Sequence, residues 1–235
     1  MKQLFSFDLI MPVFNESQII EKVVKQNWDF VKKYKGSQLI IAEDGSTDGT
    51  KEILKKLKKK IPFKLVSSNL RKGYTKAVMD ALKLSKKDLI LFSDSDGQHI
   101  ASDFDKLLKF YPKYDLIIGK KSPRRDPLYR NLVSKIYNFL VNILFFSHFE
   151  DIDCGFRIIK KDVIKKILPK SGRFKYCYFS EFTIIAKRLG FKIKEVPITH
   201  YPREGTQSSI FSPTKLPKIG WGLFIQLVEL RGRKL

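Results

Sequence analysis

The sequence predicts an α/β protein in which a mainly parallel β-sheet is flanked by helices. Short runs of Ile, Leu, Val and Phe alternate with helical patterns over the first 120 residues, and this alternation is typical of a parallel sheet with right-handed crossover helices. The runs are apolar throughout, as strands covered on both faces are. A chain of 235 residues is long enough to form one large domain with its own hydrophobic core.

Five strands are predicted in the first half of the chain, each bounded by Pro, Gly, Asp or Asn. They cover Phe7–Val13, Gln38–Ala42, Phe63–Ser67, Asp88–Phe92 and Asp115–Ile118. Helices are predicted between them, over 16–33, 48–59, 73–85 and 102–110. Asn15 with Gln18, and Ser102 with Asp105, have the spacing of capping boxes, so we expect helices to begin at these two places.

The second half is predicted to be richer in helices. A basic loop at 119–127 precedes a long helix, Leu128–Phe146, which has apolar residues on more than one face. Further elements are a strand at Phe156–Ile159, helices at 161–167 and 179–189, and a strand at Phe191–Val196. The stretch Thr214–Leu230 is apolar with flanking Lys and Arg. We therefore expect a compact domain over 1–210 and an amphipathic C-terminal tail over 211–235.

Composition and charge limit the classes of protein to which this chain can belong. With 43% hydrophobic and 30% charged residues, a largely disordered chain is excluded. The net charge of +22 attracts polyanions such as nucleic acid, anionic lipid or phosphorylated substrates, or it reflects a compositional bias alone. Two cysteines, Cys154 and Cys177, fit a reducing compartment. The first residues do not resemble a signal peptide, and no apolar stretch reaches the ~18 residues of a spanning helix.

Polar residues follow four successive predicted strands, where ligands bind in open α/β sheets. These segments are Pro12–Glu16, Glu43–Gly49, Asn69–Gly73 and Asp94–His99. Asp94 and Asp96 are the most informative, because two carboxylates one residue apart repel each other unless a cation lies nearby. Mg²⁺ and Mn²⁺ take oxygen ligands and often share them with substrate phosphates. Such triplets also serve as turn residues, so the position after an apolar strand carries the prediction of a metal site.

The order of these motifs resembles that of family 2 glycosyltransferases with the GT-A fold. The resemblance rests on Pro12–Glu16, Glu43–Thr50, Lys72–Gly73, Asp94–His99, Asp151–Arg157, Glu195–Ile198 and Tyr201–Arg203. The later motifs are similar to those of dolichol-phosphate mannose synthases and other polyprenyl-phosphate glycosyltransferases. The resemblance implies a GT-A (Rossmann-like) fold and an inverting hexosyltransferase. Its donor would be a nucleotide sugar, GDP-mannose or UDP-glucose, and its acceptor dolichyl or polyprenyl phosphate.

The resemblance also implies a role for each matching residue. The nucleotide sugar would be held by Pro12, Glu16 and Asp44. Metal and diphosphate would be held by Asp94, Asp96 and Gln98, with Arg203 at the diphosphate and acceptor site. The acceptor phosphate would be held by Lys121, Arg130 and Ser134. The residues expected to act in catalysis are Asp96, Arg130 and Asp151, the last as a base or an orienting group.

A lipid acceptor would explain the two apolar helices. Leu128–Phe146 and Thr214–Leu230 would then lie on an anionic membrane surface with their basic residues at the headgroups. The protein would be cytoplasmic and peripheral on the cytosolic face of a membrane, with a separate membrane subunit as a further candidate partner. Alternatively, both helices pack on the sheet, or the tail pairs with another subunit.

Three other functions stay open at this stage. A family 2 glycosyltransferase could act on a glycan or a protein instead of a lipid phosphate. A nucleotidyltransferase would use a related fold, but the chain lacks a glycine-rich N-terminal phosphate loop. A basic nucleic-acid-binding protein would account for the charge. No recognition motif supports it and the aromatic residues do not interleave with the basic runs, so no nucleic-acid partner is expected.

Overall fold

The apolar runs pair into one seven-stranded sheet in the computed structural model, which describes residues 5–204 and 214–235. The strands are β1 Phe7–Val13, β2 Gln38–Glu43, β3 Lys64–Ser67, β4 Leu89–Ser93, β5 Leu116–Lys121, β6 Phe156–Lys160 and β7 Ile193–Ile198. Their order across the sheet is β3-β2-β1-β4-β6-β5-β7. β1 is buried along its whole length, which explains its uninterrupted apolar sequence.

The sheet is mainly parallel, as predicted, and β6 is the exception. It runs antiparallel to both of its neighbours, β4 and β5, whereas the other pairs are parallel. Phe156, the first residue of β6, therefore pairs with Ser93, the last residue of β4. Residues just before β6 consequently lie at the same edge of the sheet as residues just after β4. We call this edge the carboxyl rim.

The helices cover the two faces of the sheet. They are α1 Ile20–Val31, α2 Thr50–Lys58, α3 Tyr74–Lys83, α4 Phe104–Leu108, α5 Leu128–Phe145, α6 Lys161–Ile167, α7 Tyr178–Arg188 and α8 Leu216–Gly232. Aromatic side chains join the layers: Phe104 stacks on Phe156 with ring centroids 3.8 Å apart, and Phe92 meets Phe179 edge-on at 4.6 Å. Contacts of this kind add to the burial of apolar area in the core.

Both predicted capping boxes are wrong. α1 begins at Ile20 rather than near Asn15, and Ser102 lies within a short 3₁₀ turn that precedes α4. Neither helix has a side-chain hydrogen bond at its N-cap. Asn15 instead takes a left-handed backbone conformation, with φ 53°, and its side-chain oxygen accepts the N–H of Thr47. The side chain that would cap α1 therefore joins the ends of β1 and β2.

Asp8 is the second residue of the core-forming strand β1 and is buried, yet its carboxylate is fully paired. It accepts hydrogen bonds from Gln38 Nε2, Ser85 Oγ and the backbone N–H groups of Lys86 and Lys87. A buried carboxylate is tolerated when its oxygens are satisfied in this way. Asp8 thus ties together the chain segments at the end of the sheet opposite the carboxyl rim.

The C-terminal helix α8 packs beside α5 and is tied to α7. The Arg188 guanidinium donates to the carbonyls of Leu230 and Arg233, at 2.5 and 2.6 Å. Arg233 lies 3.7 Å from the buried carboxylate of Glu181. The expected division of the chain at residue 210 falls outside the described residues. In the ranges that are described, no helix combines the length and apolarity needed to cross a bilayer.

Candidate functional site

Residues predicted to bind a nucleotide sugar lie together at the carboxyl rim. The ends of β1 and β2 are joined by the Asp44 N–H, which donates to the Val13 carbonyl at 2.9 Å. The ends of β4 and the start of β6 are joined by the Asp94 N–H, which donates to the Gly155 carbonyl at 3.2 Å. Pro12 is buried in β1 beside Ala42 of β2. The rim therefore collects the motifs that the sequence places far apart.

Asp44 shapes one wall of this rim. Its two carboxylate oxygens accept the backbone N–H groups of Lys72 and Gly73, at 3.0 and 3.1 Å. The loop that follows β3 is thereby held against the end of β2. The approach is close, since a Cβ on Gly45 would come within 2.7 Å of the backbone of Leu70 and Arg71. Asp44 thus positions a loop, and its predicted contact with a nucleotide stays a prediction.

Asp94 and Asp96 lie next to each other in the turn that follows β4. Tyr74 Oη donates to Asp94 Oδ1 at 3.0 Å, and Asp96 Oδ1 accepts the N–H of Gln98 at 3.2 Å. Gly155 leaves the space that the Asp94 carboxylate occupies. Burial, and after it the charge of Asp96, raise the pKa of Asp94 to about 7. The two carboxylates therefore repel each other near neutral pH, and a cation beside them would stabilise their charged forms.

This carboxylate pair fits a divalent cation. Hard cations accept carboxylate oxygens, and Mg²⁺ commonly completes its coordination with substrate phosphates and water. Within residues 5–204 and 214–235, no group of three or more His, Cys, Asp or Glu side chains is arranged to hold an ion by itself. A cation at Asp94 and Asp96 would accordingly share its remaining positions with a bound diphosphate, and Gln98 follows in the same turn.

Arg203 crosses the rim from the segment after β7. Its Nη2 donates to Glu16 Oε1 at 2.5 Å, and its Nη1 lies 3.7 Å from Asp96 Oδ2. Burial raises the pKa of Glu16 to about 7 against the opposing charge of Arg203. Lys22 pairs with Glu204 at 2.7 Å and holds the same segment against α1. The Arg203 guanidinium thus lies between the predicted nucleotide residue and the predicted metal residues.

A second group of cations surrounds the start of α5. Arg124, which the sequence analysis did not single out, is its centre. Its Nη1 donates to Ser134 Oγ at 2.7 Å and to Asp151 Oδ1 at 3.3 Å, and its Nε donates to Asp126 Oδ2 at 2.8 Å. The sequence feature that could have identified Arg124 is its position in the basic loop 119–127. Its partners lie as far away as residue 151, and that pairing has no local pattern.

Lys121 belongs to this cluster through Asp151, and Arg130 belongs to it by position, since it lies one helical turn before Ser134 on α5. Asp151 Oδ2 accepts the backbone N–H of Lys121 at 3.2 Å. Burial opposes the charge of the Lys121 ammonium, but the Asp151 carboxylate keeps its pKa above the ordinary value. Among the described residues, the buried Nε of Arg130 has no hydrogen-bond partner. We name Lys121, Arg124, Arg130 and Ser134 the basic cluster.

The basic cluster and the carboxylate pair are neighbours. The Lys121 ammonium is close enough to Asp94 to lower the pKa of that carboxyl in part. Ser134 Oγ accepts hydrogen bonds from Arg124 and Asn138, so its own O–H is left to donate. The arrangement places donors suited to a phosphate beside carboxylates suited to a cation.

Arg157 supports the turn that joins the two groups. It is fully buried, lies 3.8 Å above the Phe179 ring, and donates to the carbonyls of Ile152 and Cys154. Its Nη1 also donates to Thr183 Oγ1 at 3.2 Å. Without Arg157 the Cys154 carbonyl would lose its side-chain donor, whereas the Ile152 carbonyl would keep a hydrogen bond from Thr183 Oγ1 at 3.4 Å. The 151–157 motif therefore acts as a brace that presents Asp151 and Gly155 at the rim.

Comparison with known proteins identifies related sequences. The family model described as Glycosyl transferase family 2 matches residues 8–168. A dolichyl-phosphate beta-glucosyltransferase of Trichomonas vaginalis is 25% identical over 225 residues, which cover 88% of this chain and 69% of that protein. An undecaprenyl-phosphate 4-deoxy-4-formamido-L-arabinose transferase of Edwardsiella ictaluri is 24% identical over 207 residues, with 85% of this chain and 61% of that protein covered.

A solved structure has the same fold. Glucosyl-3-phosphoglycerate synthase of Mycobacterium tuberculosis, crystallised with Mn²⁺, uridine diphosphate and phosphoglyceric acid, superposes with a TM-score of 0.75. The match covers 98% of this chain and 80% of that chain at 18% identity. At this identity the similarity concerns the fold alone, and it confirms the GT-A architecture expected from the sequence.

Proposed function

We propose that this chain, which belongs to glycosyl transferase family 2, transfers a hexose from a nucleotide sugar to dolichyl or another polyprenyl phosphate. The donor is GDP-mannose or UDP-glucose, and the transfer inverts the anomeric carbon. One observation carries the choice of acceptor: a single turn meets both groups, since Asp151 accepts hydrogen bonds from Arg124 and Lys121 while Gly155 lies against the Asp94 carboxylate. Two relatives whose names specify polyprenyl-phosphate substrates support the same choice.

The chemistry of such an acceptor suits this site. A phosphomonoester has a second pKa of ~6, so its oxygen is already ionised near neutral pH and needs no general base. The protein then has to hold the nucleophile in line with the sugar. Lys121, Arg124 and Arg130 supply the positive charge, and the Ser134 hydroxyl supplies a further donor. Asp151 is engaged by Arg124 and by the Lys121 N–H, which favours an orienting role over that of a base.

The other half of the site would stabilise the leaving group. Asp94 and Asp96, with Gln98, would hold Mg²⁺ or Mn²⁺, which neutralises a leaving diphosphate. Arg203 would turn from Glu16 towards the same diphosphate, since its guanidinium already lies beside Asp96. Because the acceptor oxygen attacks the side opposite to the leaving group, a single displacement inverts the anomeric centre.

The decisive experiment follows transfer of labelled hexose. We would incubate the full chain with GDP-mannose or UDP-glucose, Mn²⁺ and dolichyl phosphate, and extract the lipid product. Unphosphorylated dolichol and a free glycan serve as alternative acceptors, and NMR of the product reports the anomeric configuration. Asp96→Ala should abolish transfer, whereas Asp29→Ala, at an exposed aspartate paired with Lys32 on α1, should leave it unchanged. Turnover on a free glycan without lipid phosphate would instead favour the alternative acceptor.

We further propose that α5 and α8 dock on an anionic membrane surface. Along α5, six exposed apolar side chains recur every three or four residues and so form one stripe: Leu128, Leu132, Ile136, Phe139, Ile143 and Phe146. α8 adds an exposed set beside it: Trp221, Phe224, Ile225 and Val228. A patch of this extent is uncommon on a protein that meets only water. Lys135 and Arg231 are exposed on the same helices, and the net charge of +22 suits anionic headgroups.

Flotation with vesicles tests this surface. The chain should float with vesicles that contain phosphatidylserine and less well with phosphatidylcholine alone. Phe139→Glu, in the centre of the α5 stripe, should reduce flotation. The matched control is Leu70→Glu, which alters a side chain that is 80% exposed in the loop after β3, near the opposite edge of the sheet. Equal loss in both variants would contradict a membrane role for α5.

A further inference from the structure

Four consecutive backbone N–H groups, those of residues 149–152, are accepted by side chains rather than by other backbone groups. Asn142 Oδ1 accepts the N–H of Phe149 at 2.8 Å, and Asn138 Oδ1 accepts that of Ile152 at 3.1 Å. The two N–H groups between them belong to Glu150 and Asp151, and both are bound by Glu195 of β7. This segment lies in neither a helix nor a strand. Its position therefore depends on these three side chains.

Glu195 holds two of the four N–H groups, whereas Asn138 and Asn142 hold one each. Its Oε1 accepts the N–H of Asp151 at 2.8 Å and that of Glu150 at 3.1 Å, and its Oε2 lies 3.0 Å from the Glu150 nitrogen. In the sheet, Glu195 pairs with Ile118 of β5, three residues before Lys121. Bonds from N–H groups to an ionised carboxylate are stronger than bonds between neutral groups. Glu195 thus fixes the turn that carries Asp151.

The carboxylate of Asp151 passes this constraint to the basic cluster. It accepts one hydrogen bond from Arg124 Nη1 and one from the Lys121 N–H. Arg124 in turn donates to Ser134 on α5. The path from Glu195 to the basic cluster is therefore a continuous series of hydrogen bonds. None of these hydrogen bonds is made to Asp94, Asp96 or the predicted nucleotide residues.

We infer that Glu195 is a positioning residue for the acceptor phosphate, acting through Asp151 on Arg124 and Lys121. The inference rests on the proposed function, because it specifies the acceptor half of that site. A positioning role for Glu195 has a different consequence from a role that only stabilises the fold. A change at Glu195 should weaken use of the lipid phosphate and leave binding of the nucleotide sugar unaltered.

The test compares KM values for the two substrates. Glu195→Ala should raise the KM for dolichyl phosphate about tenfold, the loss expected for roughly one charge-assisted hydrogen bond. The KM for the nucleotide sugar should stay within about twofold of the parent. Glu195→Gln should restore part of the loss, because the amide oxygen at the position of Oε1 can still accept the Asp151 N–H, whereas its NH2 group replaces the acceptor Oε2 beside the Glu150 N–H.

A stability-matched control is available in Val163→Ala. Val163 is fully buried in α6, and α6 begins at the end of the sheet opposite the rim, where the Lys161 N–H donates to the Asp88 carbonyl. This variant should lower the melting temperature and leave the acceptor KM unchanged. An equal rise of the acceptor KM in both variants, or a parallel rise of both KM values in Glu195→Ala, would overturn the inference.

Two further arms keep the test decisive. If Glu195→Ala does not fold, Glu195→Asp is used, since its carboxylate is one methylene shorter and cannot reach both N–H groups; an unchanged acceptor KM would then refute the positioning role. The Arg124 side-chain Nε–H signal in ¹⁵N NMR reports positioning without turnover, and should shift in the Glu195 variants but not in Val163→Ala. A parent chain that transfers nothing to dolichyl phosphate contradicts the proposed function, whereas the NMR signal still decides the role of Glu195.

Discussion

Gly155 lies directly against the carboxylate of Asp94, so its replacement tests the carboxylate pair without altering either acid. A Cβ on Gly155 would lie 1.8 Å from Asp94 Oδ2 and 2.5 Å from Asp94 Cγ. Real Cβ atoms essentially never approach another heavy atom closer than 3.0 Å. In Gly155→Ala the carboxylate must therefore move by about 1 Å or more, and its hydrogen bond from Tyr74 Oη changes with it.

A displacement of about 1 Å at a reacting or binding group costs roughly 100-fold. We therefore expect the Mn²⁺-dependent affinity for GDP or UDP to fall about 100-fold in Gly155→Ala, which corresponds to about 2.7 kcal/mol of binding free energy at 25 °C. The loss should be confined to the metal-dependent part of binding. Affinity measured with EDTA should be nearly the same in the variant and the parent.

Isothermal calorimetry with Mn²⁺ and with EDTA measures both quantities. Gly220→Ala is the matched control, because a Cβ on Gly220 meets no atom within 4 Å. Its melting temperature should rise slightly, since alanine favours a helix over glycine by up to ~1 kcal/mol. If Gly155→Ala binds the nucleotide with Mn²⁺ within about threefold of the parent, the assignment of the cation to Asp94 is refuted.

Three further predictions concern charge and burial. Because the pKa of Asp94 is about 7, protons should compete with the cation for this carboxylate. The Mn²⁺-dependent affinity for the nucleotide should therefore decrease as the pH is lowered from about 7 and stay constant at higher pH. Calorimetry that shows no change between about pH 5.5 and 8 would contradict this. The Asp94 carboxyl holds its proton more tightly in the folded than in the unfolded state. Its contribution to the free energy of unfolding therefore falls as pH rises from about 4 to 7. Asp94→Asn should accordingly raise the melting temperature at about pH 8 in the absence of metal. Arg157→Met removes the donor of the buried Cys154 carbonyl and one of the two donors of the Ile152 carbonyl. It should lower the free energy of unfolding by about 3 kcal/mol in urea denaturation. A loss below about 1 kcal/mol would show that the turn does not depend on the guanidinium.

The strands and the chemistry of the rim could be predicted because their signals are local. An apolar run such as Phe7–Val13 reports burial on both faces directly, and the structure confirms a strand with the same bounds. The residue types after β1, β2 and β4 follow from the same reasoning, since the carboxyl ends of parallel strands meet at one edge of the sheet. Helix starts were less predictable. Asn15 has the spacing of a cap, yet its side chain bonds to Thr47, more than thirty residues away in the chain.

Sequence alone therefore determined the fold class, the position of the strands and the presence of the carboxylate pair, because hydrophobic pattern and residue chemistry act within a few residues. The tertiary structure decided which distant groups meet. The reversed direction of β6 brings Asp151 and Gly155 to the rim, and the partners of Arg124 and Glu195 lie 27 and 44 residues away at Asp151. Hydrogen bonds between segments so far apart depend on how the whole chain packs, and no local pattern encodes them.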